Sequence, residues 1–292
     1  MSGYFDAHVH SNLSDGLYSP EELCKMAVNK NIGVLVITDH NTCLSDKELS
    51  NLRGKFLQLE LPRGCEFSCA YKVNGELKQI HLGGISFRVT DEINNVLTYN
   101  QQGYPAYVKK ILAKLKYECG FDVGTYEELR ASYKAKTLGR KQIAEKLRDN
   151  GYCTDIEEAF QKYLKKGCPA YVSNAEHLSS LEDTVRAIAN AGGIVSICHL
   201  FQYNLTDEQN KALIKTVKSI AGELTAIEVY YTKYDDRQQN ELLAYAKEFG
   251  LALSAGSDFH GDPESPVKSL GQFPKDLYTK MQERIRRHYD KV

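Results

Sequence analysis

The sequence predicts an α/β fold of the barrel kind, with seven strands that close on one another and helices around them. Three observations predict it. Strand and helix signals alternate over most of the 292 residues. Segments such as Gly33-Val-Leu-Val-Ile-Thr38 are continuous apolar runs, as in parallel strands covered on both faces. Chemically active side chains recur at predicted strand ends along the whole chain, which is where a barrel collects them. An open doubly wound sheet is the alternative, but it concentrates its chemistry at one switch point.

Tyr4–Val9 reads as the first strand. Ser19-Pro-Glu-Glu22 then starts a helix, with Ser19 as cap, Pro20 at the first helical position and Glu22 closing a capping box. The apolar strand ending at Thr38 follows, and Ser45 with Glu48 repeats the capping pattern. Leu57–Cys69 is a third extended region, and Asn74-Gly75 signals a hairpin into Gln79–Phe87. Between residues 91 and 176 strand signals fade. Tyr104–Glu118, Arg140–Asn150 and Thr154–Lys166 read as helices, the last with Thr154 and Glu157 as a capping box. Residues 91–176 are therefore expected to be a helical subdomain inserted into a barrel of residues 1–90 and 177–292. The alternation then resumes. Ser179 and Glu182 open a helix ended by Gly192-Gly193, and Ile194–Cys198 is a strand. Thr206–Ala221 is a helix, Ala226–Tyr230 a strand, Asp235–Phe249 a helix, Leu251–Ala255 a strand, and Pro274–His288 a last helix.

Composition narrows the function. A formal charge of −1 gives no overall basic field to recruit nucleic acid. Residues 103–170, however, carry 14 Lys and Arg against 9 Asp and Glu, which leaves −6 on the remainder. A basic insert against an acidic body suits a phosphorylated ligand, although a solvated helical surface has the same composition. The eight cysteines are scattered without a C-x-x-C pair, and the N-terminus lacks an export signal. Reduced thiols in a cytoplasmic protein are expected. Cys65 and Cys69 are read as small buried residues. No apolar run is long enough to span a membrane, and no obligate protein partner is evident.

Nine residues carry the chemistry: His8, His10, Asp15, His40, Glu66, His81, His199, Asp258 and His260. Imidazole and carboxylate are the donors of a hydrolytic divalent-cation site. His8 and His10 are two apart on an extended strand and so point the same way. Asp15 lies on the loop above them. His40 follows Asp39, which is assigned a supporting role. Glu66 sits in an apolar stretch and needs a cation, a metal rather than an arginine. His81 and His199 adjoin apolar strands, and Asp258-Phe-His260 repeats the two-residue spacing. His177 and His288 lie away from strand ends and are read as surface residues.

The ordered set H-x-H-x4-D-G, T-D-H, a lone Glu, two lone His and G-S-D-x-H resembles the PHP (polymerase and histidinol phosphatase) superfamily, from Phe5 to Gly261. Gly139-Arg-Lys-Gln-Ile-Ala144 and Ala159–Val172 are similar to the stand-alone bacterial PHP phosphoesterases related to YciV. The resemblance implies a distorted seven-stranded TIM-like barrel, (β/α)7, with up to three divalent ions (Mn, Fe or Zn) in its mouth. It implies one ion on His8, His10, Glu66 and Asp258, a second on Glu66, His81 and His199, and a third on Asp15, His40 and His260. A hydroxide between two ions would attack phosphorus. Glu66, Asp258, His199 and His260 are thus the expected catalytic set, with Arg140 as a phosphate clamp. His199, His260 and a bound water all remain open as the acid for the leaving group. Asn41 departs from the usual Asp after T-D-H, and Leu200 from the usual Pro after the histidine.

The expected substrate is a small phosphorylated molecule of the nucleotide class: a nucleoside 3′,5′-bisphosphate, or short RNA cut from its 5′ end. Cyclic-phosphate diesters and histidinol phosphate are alternatives. Tyr104, Tyr107, Tyr171 and Tyr230 offer stacking surfaces. An amidohydrolase-type enzyme or a non-catalytic PHP module are the readings outside this class. No strand lysine suits the former, and no ligand is missing as the latter would suggest.

Overall fold

The computed structural model describes residues 3–133 and 138–290. Lys134 and Lys136 of the basic segment, Met1 and Ser2 of the leader reading, and residues 291–292 of the expected barrel lie outside the described residues. Eight strands and ten α-helices occur among those described: β1 (Tyr4–Val9), α1 (Pro20–Asn29), β2 (Ile32–Ile37), α2 (Asp46–Lys55), β3 (Gly64–Val73), β4 (Glu76–Ile85), α3 (Asp91–Glu118), α4 (Tyr126–Ser132), α5 (Arg140–Asp149), α6 (Ile156–Ala159), α7 (Leu181–Asn190), β5 (Ile194–Ile197), α8 (Asp207–Ala221), β6 (Thr225–Tyr231), α9 (Asp236–Phe249), β7 (Ala252–Gly256), β8 (Phe273–Pro274) and α10 (Lys275–Tyr289).

The strands form two sheets, a three-stranded one in the order β2-β1-β8 and a five-stranded one in the order β3-β4-β5-β6-β7. Isolated bridges flank them on both sides. His40 pairs with Glu66 and Val34 with Glu60 on one side, and Val9 pairs with Phe259 on the other. The β3–β4 unit is an antiparallel hairpin turned at Asn74-Gly75, and β4–β5 is antiparallel as well. This hairpin moves two site residues away from the expected strand ends. Glu66 is the third residue of β3, level with the end of β2 because β3 runs on past the rim. His81 lies within β4, next to Phe67 and Ser68 on the facing strand. Pleat alternation puts Glu66, Ser68 and His81 on one face.

The helix starts follow their capping chemistry. Ser19–Glu22 and Ser45–Glu48 close reciprocal boxes as expected. Thr206 and Asp235 cap α8 and α9 in the same way, and Gly250 ends α9 in the left-handed region. Two caps fall one residue later than the spacing suggested. Asp155, not Thr154, accepts from Glu158 N–H, while Thr154 donates to the Glu158 carboxylate. Ser180, not Ser179, accepts from Asp183 N–H. In both cases a second competent acceptor stands beside the expected one. The expected helix over 154–166 is also broken: α6 gives way to a π-helical turn at Phe160–Leu164.

The helix expected from Tyr104 starts at Asp91, capped by Thr90, and runs through Gly103 and Pro105. Gly103 is a point of close approach, not a terminator, since a Cβ there would lie 2.4 Å from the His177 carbonyl oxygen. Ile93, Val96 and Leu97 of α3 pack into the main core with the strands. Tyr107, Val108, Ile111, Leu112 and Leu115 belong to a separate cluster with Leu129, Ile143, Leu147 and Leu164. All eight cysteines are free thiols. Among the described residues, no helix is long and apolar enough to cross a membrane.

Candidate metal centre

The nine residues singled out in the sequence form one connected cluster, with Glu66 at its centre and five histidines against its two oxygens. Glu66 Oε2 lies 3.4 Å from His8 Nε2, 3.3 Å from His10 Nε2 and 2.9 Å from His40 Nδ1. Glu66 Oε1 lies 2.8 Å from His81 Nδ1 and 2.9 Å from His199 Nε2. Asp258 Oδ1 stands 3.3 Å from His10 Nε2, 3.6 Å from His8 Nε2 and 3.5 Å from His260 Nδ1. Asp15 faces His260 Nε2 at 3.3 Å, His10 Nδ1 at 3.6 Å and His40 Nε2 at 3.7 Å.

Three groups have donor atoms within 4.8 Å of one another: His10, Asp15, His40 and His260; His8, His10 and Glu66; and His40, Glu66 and His81. They overlap the three sets the family resemblance implies, but here His10 and His40 each serve two groups. A further group, His8, Cys198 and Glu228, brings a thiol in place of an imidazole or carboxylate. Without a cation beside it, burial pushes the Cys198 thiol up to about 12.

Electrostatics prepare the cluster. Burial opposes ionisation of Glu66, yet His81, His40 and His8 hold it well below the usual carboxylate range. The same contest leaves Asp15 and Asp258 well below theirs, chiefly through His260. Burial, reinforced by His260, brings His10 down to about 3, so it is neutral with one ring nitrogen's lone pair free at any ordinary pH. Burial would also lower His40, but Glu66 and Asp15 raise it to about 9. Hydrogen bonding does not complete the site. His8 Nε2, both nitrogens of His10, His40 Nδ1, Glu66 Oε2 and His199 Nδ1 are buried without a partner. Unpaired buried polar atoms are costly and rare. Six in one cluster of imidazole and carboxylate groups fit one or more bound cations.

An outer ring holds these side chains in place. Asp39 accepts from Ser11 N–H and from the Ser11 and Ser14 hydroxyls. Its supporting role is therefore to fix the loop carrying Asp15 and not to orient His40. Asp6 does the same for the opposite loop through Ser257 and the Gly271 N–H. Burial raises both carboxyls to about 6 despite these bonds. His199 and Asp258 have φ of 29° and 57°. Such backbone in non-glycine residues is strained and gathers at functional sites.

Sequence reasoning missed three residues. Glu228, in β6, lies 2.8 Å from His8 Nδ1. Tyr231 donates to Asp258 Oδ2 at 2.9 Å. Asn41 had been noted only as a departure. It accepts from Ser68 N–H and Asn100, and donates to Ser68 and Tyr104, so it links the rim to α3. The signal for Glu228 was present. It is a lone carboxylate inside an apolar strand, the pattern that selected Glu66.

Arg140 is the first residue of α5, in the wall of a cavity of about 160 Å³ that also reaches Asp15, His40 and His81. Its guanidinium sits 5.9 Å from the Phe160 ring. The cavity adjoins a cleft of about 500 Å³ that shares His81, Arg140 and Asn174 and is rimmed by Lys78, Lys165, Lys166 and Tyr171. Of the four tyrosines offered as stacking surfaces, Tyr107 and Tyr171 line these spaces. Tyr104 lines the first but spends its hydroxyl on Asn41, and Tyr230 lines a different depression.

Comparison with known proteins agrees with this geometry. The chain is 31% identical over 263 residues to a 5′-3′ exoribonuclease of Haemophilus influenzae, covering 89% of this chain and 91% of that one. It is 26% identical over 292 residues to a 3′,5′-nucleoside bisphosphate phosphatase of Chromobacterium violaceum, covering 98% and 99%. A solved Chromobacterium violaceum structure, described as an amidohydrolase with bound sulfate and no metal, superposes with a TM-score of 0.81 at 25% identity over 96% of each chain. Residues 6–291 match the PHP domain as a family, nearly the whole length over which the cage and its outer ring are drawn, and the chain belongs to that family.

Proposed function

We propose that this chain is a metal-dependent phosphoesterase acting on small nucleotides, either a nucleoside 3′,5′-bisphosphate or the 5′ end of short RNA. The observation that carries this reading is the cluster of six buried, unpartnered imidazole and carboxylate atoms centred on Glu66, beside a cavity that Asp15, His40 and His81 line together with Arg140. The relatives' activities, an exoribonuclease and a bisphosphate phosphatase, point the same way.

His8, His10, Asp15, His40, Glu66, His81, His199, Asp258 and His260 would hold up to three divalent ions of the Mn, Fe or Zn kind. Such ions ionise water near neutral pH and neutralise phosphate oxygens. The chain's own residues do the rest. Arg140 offers a planar fork for a phosphate at the inner cavity. Lys78, Lys165 and Lys166 ring the adjoining cleft, where a second phosphate or the next nucleotide fits, and Tyr171 presents a ring to the base. His199, which lines that cleft, and His260 are the imidazoles on hand for the leaving-group proton. The seven longer strands, bridged at both flanks, form a distorted barrel, and residues 91–176 are a helical insert with a cluster of their own. The cytoplasm, with its reduced thiols, is the proposed setting.

The test is phosphate release with added Mn²⁺ from a nucleoside 3′,5′-bisphosphate, 5′-phosphorylated short RNA, a cyclic phosphate and histidinol phosphate, set against amide and deamination substrates. We expect turnover of the first two, abolished by chelation. R140A should lower kcat/KM about 10–100-fold with metal content unchanged. Turnover confined to amides, or persisting after exhaustive chelation, would refute the proposal.

A further inference from the structure

We propose that Glu228 is a positioning residue that fixes the tautomer of His8 and thereby decides which of its nitrogens faces a cation. The inference rests on the metal-centre reading above. Glu228 lies in β6 between Ile227 and Val229, and all three are buried. Its two oxygens divide the work. Oε1 lies 2.8 Å from His8 Nδ1, and Oε2 accepts the His199 backbone N–H at 2.8 Å. Among the described residues, His8 is its one ionisable partner at salt-bridge distance.

An ionised carboxylate only accepts hydrogen bonds. With Oε2 accepting the His199 N–H and Oε1 accepting in the same way, His8 Nδ1 carries the proton and a neutral His8 has its lone pair on Nε2. That atom is buried without a partner, 3.4 Å from Glu66 Oε2 and 3.6 Å from Asp258 Oδ1. The second oxygen anchors the backbone of His199, where φ is 29° and the ring is held against Glu66. One carboxylate thus serves imidazoles on two different sides of Glu66. The space is reserved for this arrangement. A Cβ on Gly256 would lie 2.1 Å from His8 Cβ and 2.9 Å from Glu228 Oε1. A side chain there would displace the pair.

E228Q isolates the tautomer. The amide has nearly the same shape. Its carbonyl keeps the His199 N–H, which leaves its NH₂ to donate to His8 Nδ1 and drives the His8 proton onto Nε2. The opposite amide orientation sets two donors against each other at His199. The experiment titrates wild type, E228Q and E228D with Mn²⁺ against a competing chelator, with elemental analysis of each protein. Melting of the metal-free proteins reports folding, and ¹⁵N NMR of the Zn²⁺-loaded wild type reads the His8 tautomer. We expect E228Q to bind about 10–100-fold more weakly and to lose metal stoichiometry, with E228D between it and wild type. The metal-free melting temperature should change little. The Zn²⁺-loaded wild type should show a protonated His8 Nδ1.

Equal Mn²⁺ affinity in E228Q and wild type would overturn the proposal. So would a proton on His8 Nε2 in the Zn²⁺-loaded wild type, a measurement that stands even if E228Q fails to fold. A wild type that binds neither ion would overturn the metal-centre reading itself, and the two failures are therefore distinct.

Discussion

The cage and the wall that faces it are built on different principles. Four of the cage residues are held from behind. Asp39 ties down the loop of Asp15, Asp6 the loop of Asp258, and Glu228 braces His8 and His199. The facing wall is lighter. It reaches the rim through Asn41, Asn100, Gln101 and Tyr104, and through Lys141, whose ammonium donates to the Asp15 carbonyl at 2.6 Å. Its remaining polar face at the cleft is made of the long cationic side chains Arg140, Lys165 and Lys166. The difference teaches that cation binding demands placement to a fraction of an ångström, which a braced β framework supplies. Selecting among phosphate esters tolerates a looser surface.

The hardest way to break this contrast is to remove the carboxylate at its centre. E66Q should lose about 10³-fold or more in kcat, together with bound metal, because five imidazoles converge on its two oxygens. Steady-state kinetics with elemental analysis checks it. Retained metal with retained turnover would mean that the cage does not depend on its centre.

A milder break is at the seam. Asn100 is fully buried and donates to Asn41 Oδ1 and the Ser68 carbonyl while accepting the Ser179 N–H. N100A leaves those partners unsatisfied on a helix that alanine otherwise suits. It should cost about 2–3 kcal/mol, or roughly 5–10 °C in melting temperature. KM should rise more than metal affinity falls, because the seam places the wall and not the cage. Equal loss of both would erase the distinction.

The smallest effect is the pH response of the cage alone. His40 is raised from 6.5 to about 9 in the folded chain. Its contribution to stability is fully present below 6.5 and is lost as pH rises through 9. The chelator-treated protein should therefore lose a few °C between pH 6.5 and 9, with a shallower slope in H40Q. Asp6 and Asp39, at about 6, act below this window. Saturating metal should reverse the trend, since it requires neutral imidazoles. Melting curves across pH, with and without Mn²⁺, decide it.

The legibility of the sequence follows the same division. His8 and His10 are readable because two-residue spacing has one meaning on a strand, and Asp258 and His260 because the spacing recurs after an apolar run. Glu66 is readable because a carboxylate among apolar neighbours needs a partner. Glu228 met the same criterion but had no motif around it. Asn41 could be seen only as an oddity, because its four partners come from β3 and α3. The sequence alone also concealed where Glu66 and His81 sit within their strands, since a hairpin that runs past the rim has no composition of its own. In the helical region, Gly103 and Pro105 look like a boundary and are not. Glycine there lets two segments touch, and α3 tolerates the single N–H that proline lacks.

That uninterrupted α3 has a consequence for anyone who would re-engineer the chain. Its first turns are rooted among the strands and its later turns are the spine of the smaller cluster, so the two compartments share an axle. Excising the module at Asp91 would pull Ile93, Val96 and Leu97 out of the body's foundations. A graft that exchanges specificity between relatives has to cut in the middle of that axle, between Leu97 and Tyr107, and splice the helix in phase. A slip of one residue would rotate the transplanted half by about 100° and turn its apolar stripe away from its own partners.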